Sequence, residues 1–221
     1  MSNDDFLIYF AGDLFDHKHL IGNHILSEYL NSESGGAYRC LLPQQHEQSD
    51  FRAVAIRNQD LRFVLECDLA LFNMDGTDLD SGTVVEFMLA KMLDIPCVLL
   101  RTDFRAAGDQ VKEGDPWNLM ASGYPRSPTL IINGMSLYQS SVRTGANFHE
   151  EIYKKLSREI ISHFQIARNG TSIFKNRQEI FDAYKLASKF PGTSFEDMIK
   201  QYGGDTYLAN IVDSKIRKGL Y

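Results

Sequence analysis

Short continuous apolar runs alternate with segments of helical apolar spacing along the first 133 residues, and this alternation constrains the fold more than any other property of the chain. Residues 6–11 (Phe-Leu-Ile-Tyr-Phe-Ala) form an unbroken run of strand formers, the pattern of a parallel strand covered on both faces. Gly12-Asp13 ends it, and residues 19–30 then place Leu20, Ile21, Ile25, Leu26 and Leu30 at helical spacing. A second strand is expected over 38–42, stopped by Pro43, with a helix from an N-cap at Asp50 to about Glu66. A third strand over 68–72, a helix over 84–93 and a fourth strand over 95–100, opened by Pro96, complete a β-α-β-α-β-α-β series. With 129–132 as a fifth strand, the simplest arrangement is an α/β, doubly wound parallel sheet of Rossmann-like, flavodoxin-like type in the order 2-1-3-4-5.

The link over 102–127, rich in Gly, Asp and Pro, is long for such a connection and reads as a functional or partner-contacting loop. Beyond Asn133 the pattern becomes helical, with amphipathic segments over 148–164, 178–190, 195–202 and 206–216. The expected organisation is therefore an α/β domain over 1–134 and a helical extension over 135–221. The extension's apolar stripes need cover from the first domain, from a second subunit or from both, and the tail either caps the crevice or the subunit interface or only adds stability.

Composition narrows the partners. Lys and Arg number 23 against 29 Asp and Glu, and the net charge of −6 provides no footprint for nucleic acid or an anionic membrane. The amino terminus is acidic and no apolar run approaches a bilayer's thickness, so a cytoplasmic protein is expected. Cys40, Cys67 and Cys97, odd in number and beside strands, read as reduced core thiols. The six histidines lack metal-ligand spacing, and neither a P-loop lysine nor a Ser-His-Asp pattern occurs; no metal or cofactor is expected.

Chemistry is expected around residues 75–86, where Asp75, Asp78 and Asp80 follow the third strand and Asp80 sits at a helix N-cap. Glu86, on that helix, faces the carboxyl ends of the strands, where open α/β sheets bind ligands. Tyr9, Gln44 or Gln45, Asp60, Asp80 and Glu86 should converge there. Asp60 has Ile56, Phe63 and Val64 as helical neighbours, and a carboxylate on so apolar a face has its pKa raised, as a general acid requires. Each residue also has a plainer reading: a basic partner or solvent for Asp60, an exposed helix position for Glu86, an N-cap alone for Asp80. A protonated and an ionised carboxylate together are suited to breaking a glycosidic bond.

Ile8-Tyr9-Phe10-Ala11-Gly12, Ile56-Arg57-Asn58-Gln59-Asp60-Leu61, Cys67-Asp68, Asp80-x-Gly82-x-x-x-Glu86 and Trp117-Asn118-Leu119-Met120 together resemble the nucleoside 2-deoxyribosyltransferases over residues 7–133. The resemblance implies base exchange on purine or pyrimidine 2′-deoxynucleosides in nucleoside salvage, by a retaining, ping-pong route. Glu86 would be the nucleophile and Asp60 the proton donor and acceptor. Tyr9 would orient Glu86, Asp80 and Gly82 would form the sugar site, and Gln44 or Gln45 would touch the base. Asn118 would reach a neighbouring subunit's site, implying a homo-oligomer. Some relatives end in a tyrosine whose carboxylate enters the active site, as Tyr221 would here. The chain departs from the family in its helical tail and in Gly82-Thr83-Val84-Val85, where some members have Gly-x-Gly. An N-glycoside hydrolase of nucleosides or their 5′-monophosphates, with Ser81 at the phosphate, and a non-catalytic nucleoside or nucleotide sensor are the alternatives.

Overall fold

The computed structural model describes residues 5–46, 53–105, 118–143, 145 and 147–221. Five parallel strands, β1 (Phe6–Ala11), β2 (Tyr38–Leu41), β3 (Leu69–Asn73), β4 (Cys97–Arg101) and β5 (Thr129–Ile131), form one sheet in the order β2-β1-β3-β4-β5. Side chains of β1 alternate between two cores: Ile8 and Phe10 enter one, Tyr9 and Ala11 the other. The first core is closed by α1 (His17–Glu33), α4 (Gly134–Val142) and α5 (Phe148–Asn169). The second is closed by α2 (Ala53–Glu66), α3 (Ser81–Met92), α6 (Arg177–Lys189), α7 (Thr193–Gln201) and α8 (Asp205–Arg217).

The expected Asp50 cap and much of the 102–127 link, Trp117 included, lie outside the described residues. Two departures from expectation have local causes. The fourth strand begins at Cys97 because Asp94 adopts φ 52° and the Ile95 amide still bonds back to the Ala90 carbonyl of α3, closing the helix before the strand can pair. Helix α4, which the sequence does not announce, buries only Leu137 and Ser141, while its apolar residues Met135, Tyr138 and Val142 stay exposed. It forms because the Asn133 side chain caps the Ser136 amide.

The tail supplies core to both faces. Phe164 of α5 packs edge-on against Tyr38 with ring centroids 5.6 Å apart, and Ile180, Tyr184, Phe195, Ile199, Leu208 and Val212 of α6 to α8 complete the other core. The chain terminus is anchored at the amino ends of the strands. There Lys218 Nζ lies 2.5 Å from Asp68 Oδ2, the buried Lys215 ammonium donates to the Cys67 carbonyl, and the Tyr221 hydroxyl donates to the Leu93 carbonyl at 2.6 Å. Arg126, buried, pairs with Asp94 at 2.8 Å and also donates to the Leu220 carbonyl. Tyr221 is thus held at the end of the sheet opposite the strands' carboxyl ends, and the expectation that its carboxylate enters the crevice of its own chain fails. All three cysteines are unbridged, and burial pushes the Cys67 thiol up to about 12. Among the described residues no helix is long and apolar enough to cross a membrane.

Candidate active site

Chain reversal at the carboxyl ends of β1 and β3 opens a crevice of about 420 Å³. Gly12, directly after β1, is required by close approach: a Cβ there would stand 2.9 Å from Asn73 Cβ at the end of β3. Gly12, Phe15, Gln44, Asp60, Asp80 and Glu86 line the crevice, so residues from four separate chain segments meet as sequence spacing leads one to expect.

Asp80 caps α3, its Oδ2 accepting from the Thr83 amide at 2.7 Å and the Thr83 hydroxyl at 2.8 Å. This cap orients the first turn, and Glu86, on the helix's second turn, is thereby aimed back under the strand ends. Glu86 is partly buried, so the plain exposed-helix reading does not hold. Tyr9 donates its hydroxyl to Glu86 Oε1 at 2.7 Å. Rather than sitting at the tip of β1, Tyr9 is fully buried inside the strand and reaches Glu86 across the sheet face. Gly82, on the first turn of α3, leaves room for the cap: a Cβ would lie 3.1 Å from Asp80 Oδ2.

Asp60 projects from α2 into the crevice and makes no ion pair among the described residues, and burial alone pushes its carboxyl up to about 6. Burial pushes Glu86 further, to about 8; the Tyr9 hydrogen bond opposes that shift while the charges of Asp60 and Asp80 add to it. The sequence expectation of a raised Asp60 holds, but it missed that the second carboxyl is raised more. Nothing in the local pattern could reveal this, since the burial that raises Glu86 comes from packing that only the folded chain brings together.

Of the two glutamines, Gln44 lines the crevice and ties the 3₁₀ turn Pro43–Gln45 to α1 by donating to the Leu20 carbonyl at 2.7 Å. Gln45 instead meets His24 Nδ1 of α1 at 3.1 Å and does not line the crevice. Asn118 also stands apart. Its side chain accepts from the Met120 amide at 2.8 Å, and it lines a neighbouring depression of about 700 Å³ with Val85, Met88 and Met120. Ser81 borders both cavities.

Two structural roles near the site were not anticipated. Asp75 accepts from the Thr102 amide and hydroxyl and from the Asp103 amide at 2.5, 2.6 and 2.7 Å, joining the exits of β3 and β4. The buried Arg101 donates to the Met74, Gly76 and Arg105 carbonyls and so fixes the loop that leads to Asp80. Beside the mouth, burial raises the Asp13 carboxyl, and the charges of Asp80, Asp16 and Asp75 raise it further while His19 opposes them. Among the described residues no Lys or Arg lines the crevice. Among the described residues no group of three or more His, Cys, Asp or Glu is placed to hold a metal.

A family model described as nucleoside 2-deoxyribosyltransferase matches residues 8–120. No curated protein matches the chain. Among solved structures, a conserved protein from Enterococcus faecalis V583 is similar at 26% identity, covering 60% of this chain and 94% of its own, with TM-score 0.48. A 2-desoxiribosyltransferase from Leishmania mexicana is 23% identical over 53% of this chain and 86% of its own, with TM-score 0.43. A 2-deoxyribosyltransferase from Bacillus psychrosaccharolyticus is 21% identical over 48% of this chain and 77% of its own, with TM-score 0.34.

Proposed function

Because this chain belongs to the nucleoside 2-deoxyribosyltransferase family, we propose that it moves a 2-deoxyribosyl group from one nucleobase to another through an ester on Glu86. The observation that carries this reading is the meeting of Asp60 and a Tyr9-bonded Glu86, both raised by burial, in one crevice. Glu86 Oε1 is occupied by the Tyr9 hydroxyl, so Oε2 attacks the anomeric carbon as its bond to the base nitrogen breaks. The bonding electrons go to the base and Asp60 delivers the proton that neutralises it. In the second half, Asp60 removes the proton from the incoming base as that base's nitrogen attacks the same carbon, and the Glu86 carboxylate leaves.

Only one of the two carboxyls is ionised in the working state. With Asp60 near 6 and Glu86 near 8, the pair holds a single proton at neutral pH, resting on Glu86 before substrate binds. The two-unit gap puts the productive form, with the proton on Asp60, at most ~2.7 kcal/mol higher. Binding of the sugar and base must offset that difference. Asp80 has Oδ1 left for a sugar hydroxyl because Oδ2 serves the cap, and Gly82 keeps that corner open. Gln44, which lines the crevice, is the proposed contact to the base.

Among the described residues the crevice is lined by carboxylates and by no Lys or Arg, which favours an uncharged nucleoside over a 5′-monophosphate. The hydrolase and sensor readings predict different products. Incubating the protein with a deoxynucleoside and a second free base separates them: exchange supports transfer, whereas free deoxyribose alone or an unchanged mixture overturns it. A homo-oligomer is part of the proposal, supported by Asn118 lying outside its own crevice beside the exposed Val85, Met88 and Met120. Cytoplasmic nucleoside salvage is the corresponding role.

A further inference from the structure

Helices α6 to α8 lie beyond the family match, and none of their residues lines the crevice. They act on the helix that carries Asp60. Along α2, Asn58 Nδ2 donates to Ser194 Oγ at 3.2 Å, and Arg57 Nη2 donates to the Pro191 carbonyl at 3.2 Å. The Arg62 guanidinium lies 4.6 Å from the Tyr202 ring centroid, and the Tyr207 hydroxyl donates to Glu66 Oε1, which Arg62 also meets at 2.6 Å. Asn58 is buried, and Arg57 donates to its Oδ1 at 2.8 Å, so its amide is held at both ends.

The placement of these grips is directional. Asn58 and Arg62 stand two residues either side of Asp60, which on an α-helix turns each about 200° away, onto the opposite face. Glu66 lies on that same outer side. The tail's contacts to Asn58, Arg62 and Glu66 therefore hold α2 from behind while Asp60 faces the crevice. Leu61, Val64 and Leu65 supply apolar packing, which resists withdrawal of the helix but specifies its rotation and axial position poorly; the polar grips specify both. General acid catalysis depends on heavy-atom reach, and a misplacement of about 1 Å can cost roughly 100-fold.

We propose that Ser194 and Tyr207 are positioning residues that set Asp60 for proton transfer, an inference that rests on the transferase reading above. The test uses the full chain with two donors: a natural deoxynucleoside, whose base needs a proton to leave, and a deoxyriboside of a nitrophenol, which does not. Ser194→Ala, Tyr207→Phe and their combination leave the tail's apolar contacts in place. The expected result for the double variant is a kcat loss of roughly tenfold on the natural donor, little change in KM and near-normal turnover of the nitrophenyl donor. Ser194→Thr, which keeps a hydroxyl, restores the rate relative to Ser194→Ala. Asp60→Asn is measured in parallel. If Asp60→Asn discriminates between the donors and the tail variants lose equally on both, or lose nothing, the positioning inference is overturned while the transferase reading stands. If Asp60→Asn itself shows no discrimination, Asp60 is not the acid and both fall.

Discussion

Replacing Glu86 by Gln should make the protein more stable while abolishing its activity, and the gain should grow with pH. Folding moves the Glu86 carboxyl from 4.5 to about 8. A carboxyl raised on folding contributes no penalty below its unfolded value, where both states are protonated. Above 4.5 the unfolded chain ionises while the folded one keeps its proton, so stability falls with rising pH until about 8. The slope is ~1.4 kcal/mol per pH unit, and at pH 7.5 the accumulated penalty is ~4 kcal/mol, less whatever water entering the open crevice relieves. Gln does not titrate, keeps an acceptor for the Tyr9 hydroxyl and has nearly the same volume. Denaturant unfolding of both proteins at pH 5, 6, 7 and 7.5 should give a difference that is below ~1 kcal/mol at pH 5 and reaches ~2–4 kcal/mol at pH 7.5. By the usual scaling for a chain of this size, the midpoint temperature at pH 7.5 should rise by roughly 5–15 °C. A stability difference that stays flat across this range would refute the claim that burial holds Glu86 protonated.

Exchange activity should follow a bell in pH, rising through about 6 and falling through about 8 as the carboxyl pair loses its first and then its last proton; initial rates across pH 5 to 9 check this. Tyr9→Phe removes the hydrogen bond that favours the charged form of Glu86, so the alkaline limb should move upward and kcat should fall by about tenfold or more, read from the same profile. Arg126→Met leaves the buried Asp94 carboxylate unpaired and frees the Leu220 carbonyl, and should destabilise the fold by ~3–5 kcal/mol in urea unfolding without changing the KM of the residual folded enzyme.

The alternation of apolar runs and helical spacing over the first 133 residues dictated the sheet by itself, because a strand buried on both faces admits few residue types and a parallel partner requires a helical crossover. Asp80 was legible as an N-cap for a similarly local reason: its partners are the amide and hydroxyl of Thr83, three residues on. Asp60 was legible because its apolar helical neighbours mark it as unusual. Helix α4 was not, since its nine residues include Gly134 and three serines, poor helix formers, and its docking and the Asn133 cap hold it. Nor were the roles of Asp75 and Arg101, which tie the exits of β3 and β4 together across 25 to 28 positions of sequence. The two features that matter most for the chemistry belong wholly to tertiary structure. Glu86 is raised by what surrounds it, with the Tyr9 hydrogen bond opposing the rise, and α2 is held by a tail whose contacting residues lie 134 to 141 positions away. Local spacing determines which face of an element is apolar, but a pKa depends on the dielectric and charges that distant segments bring to one point, and only the folded chain decides those.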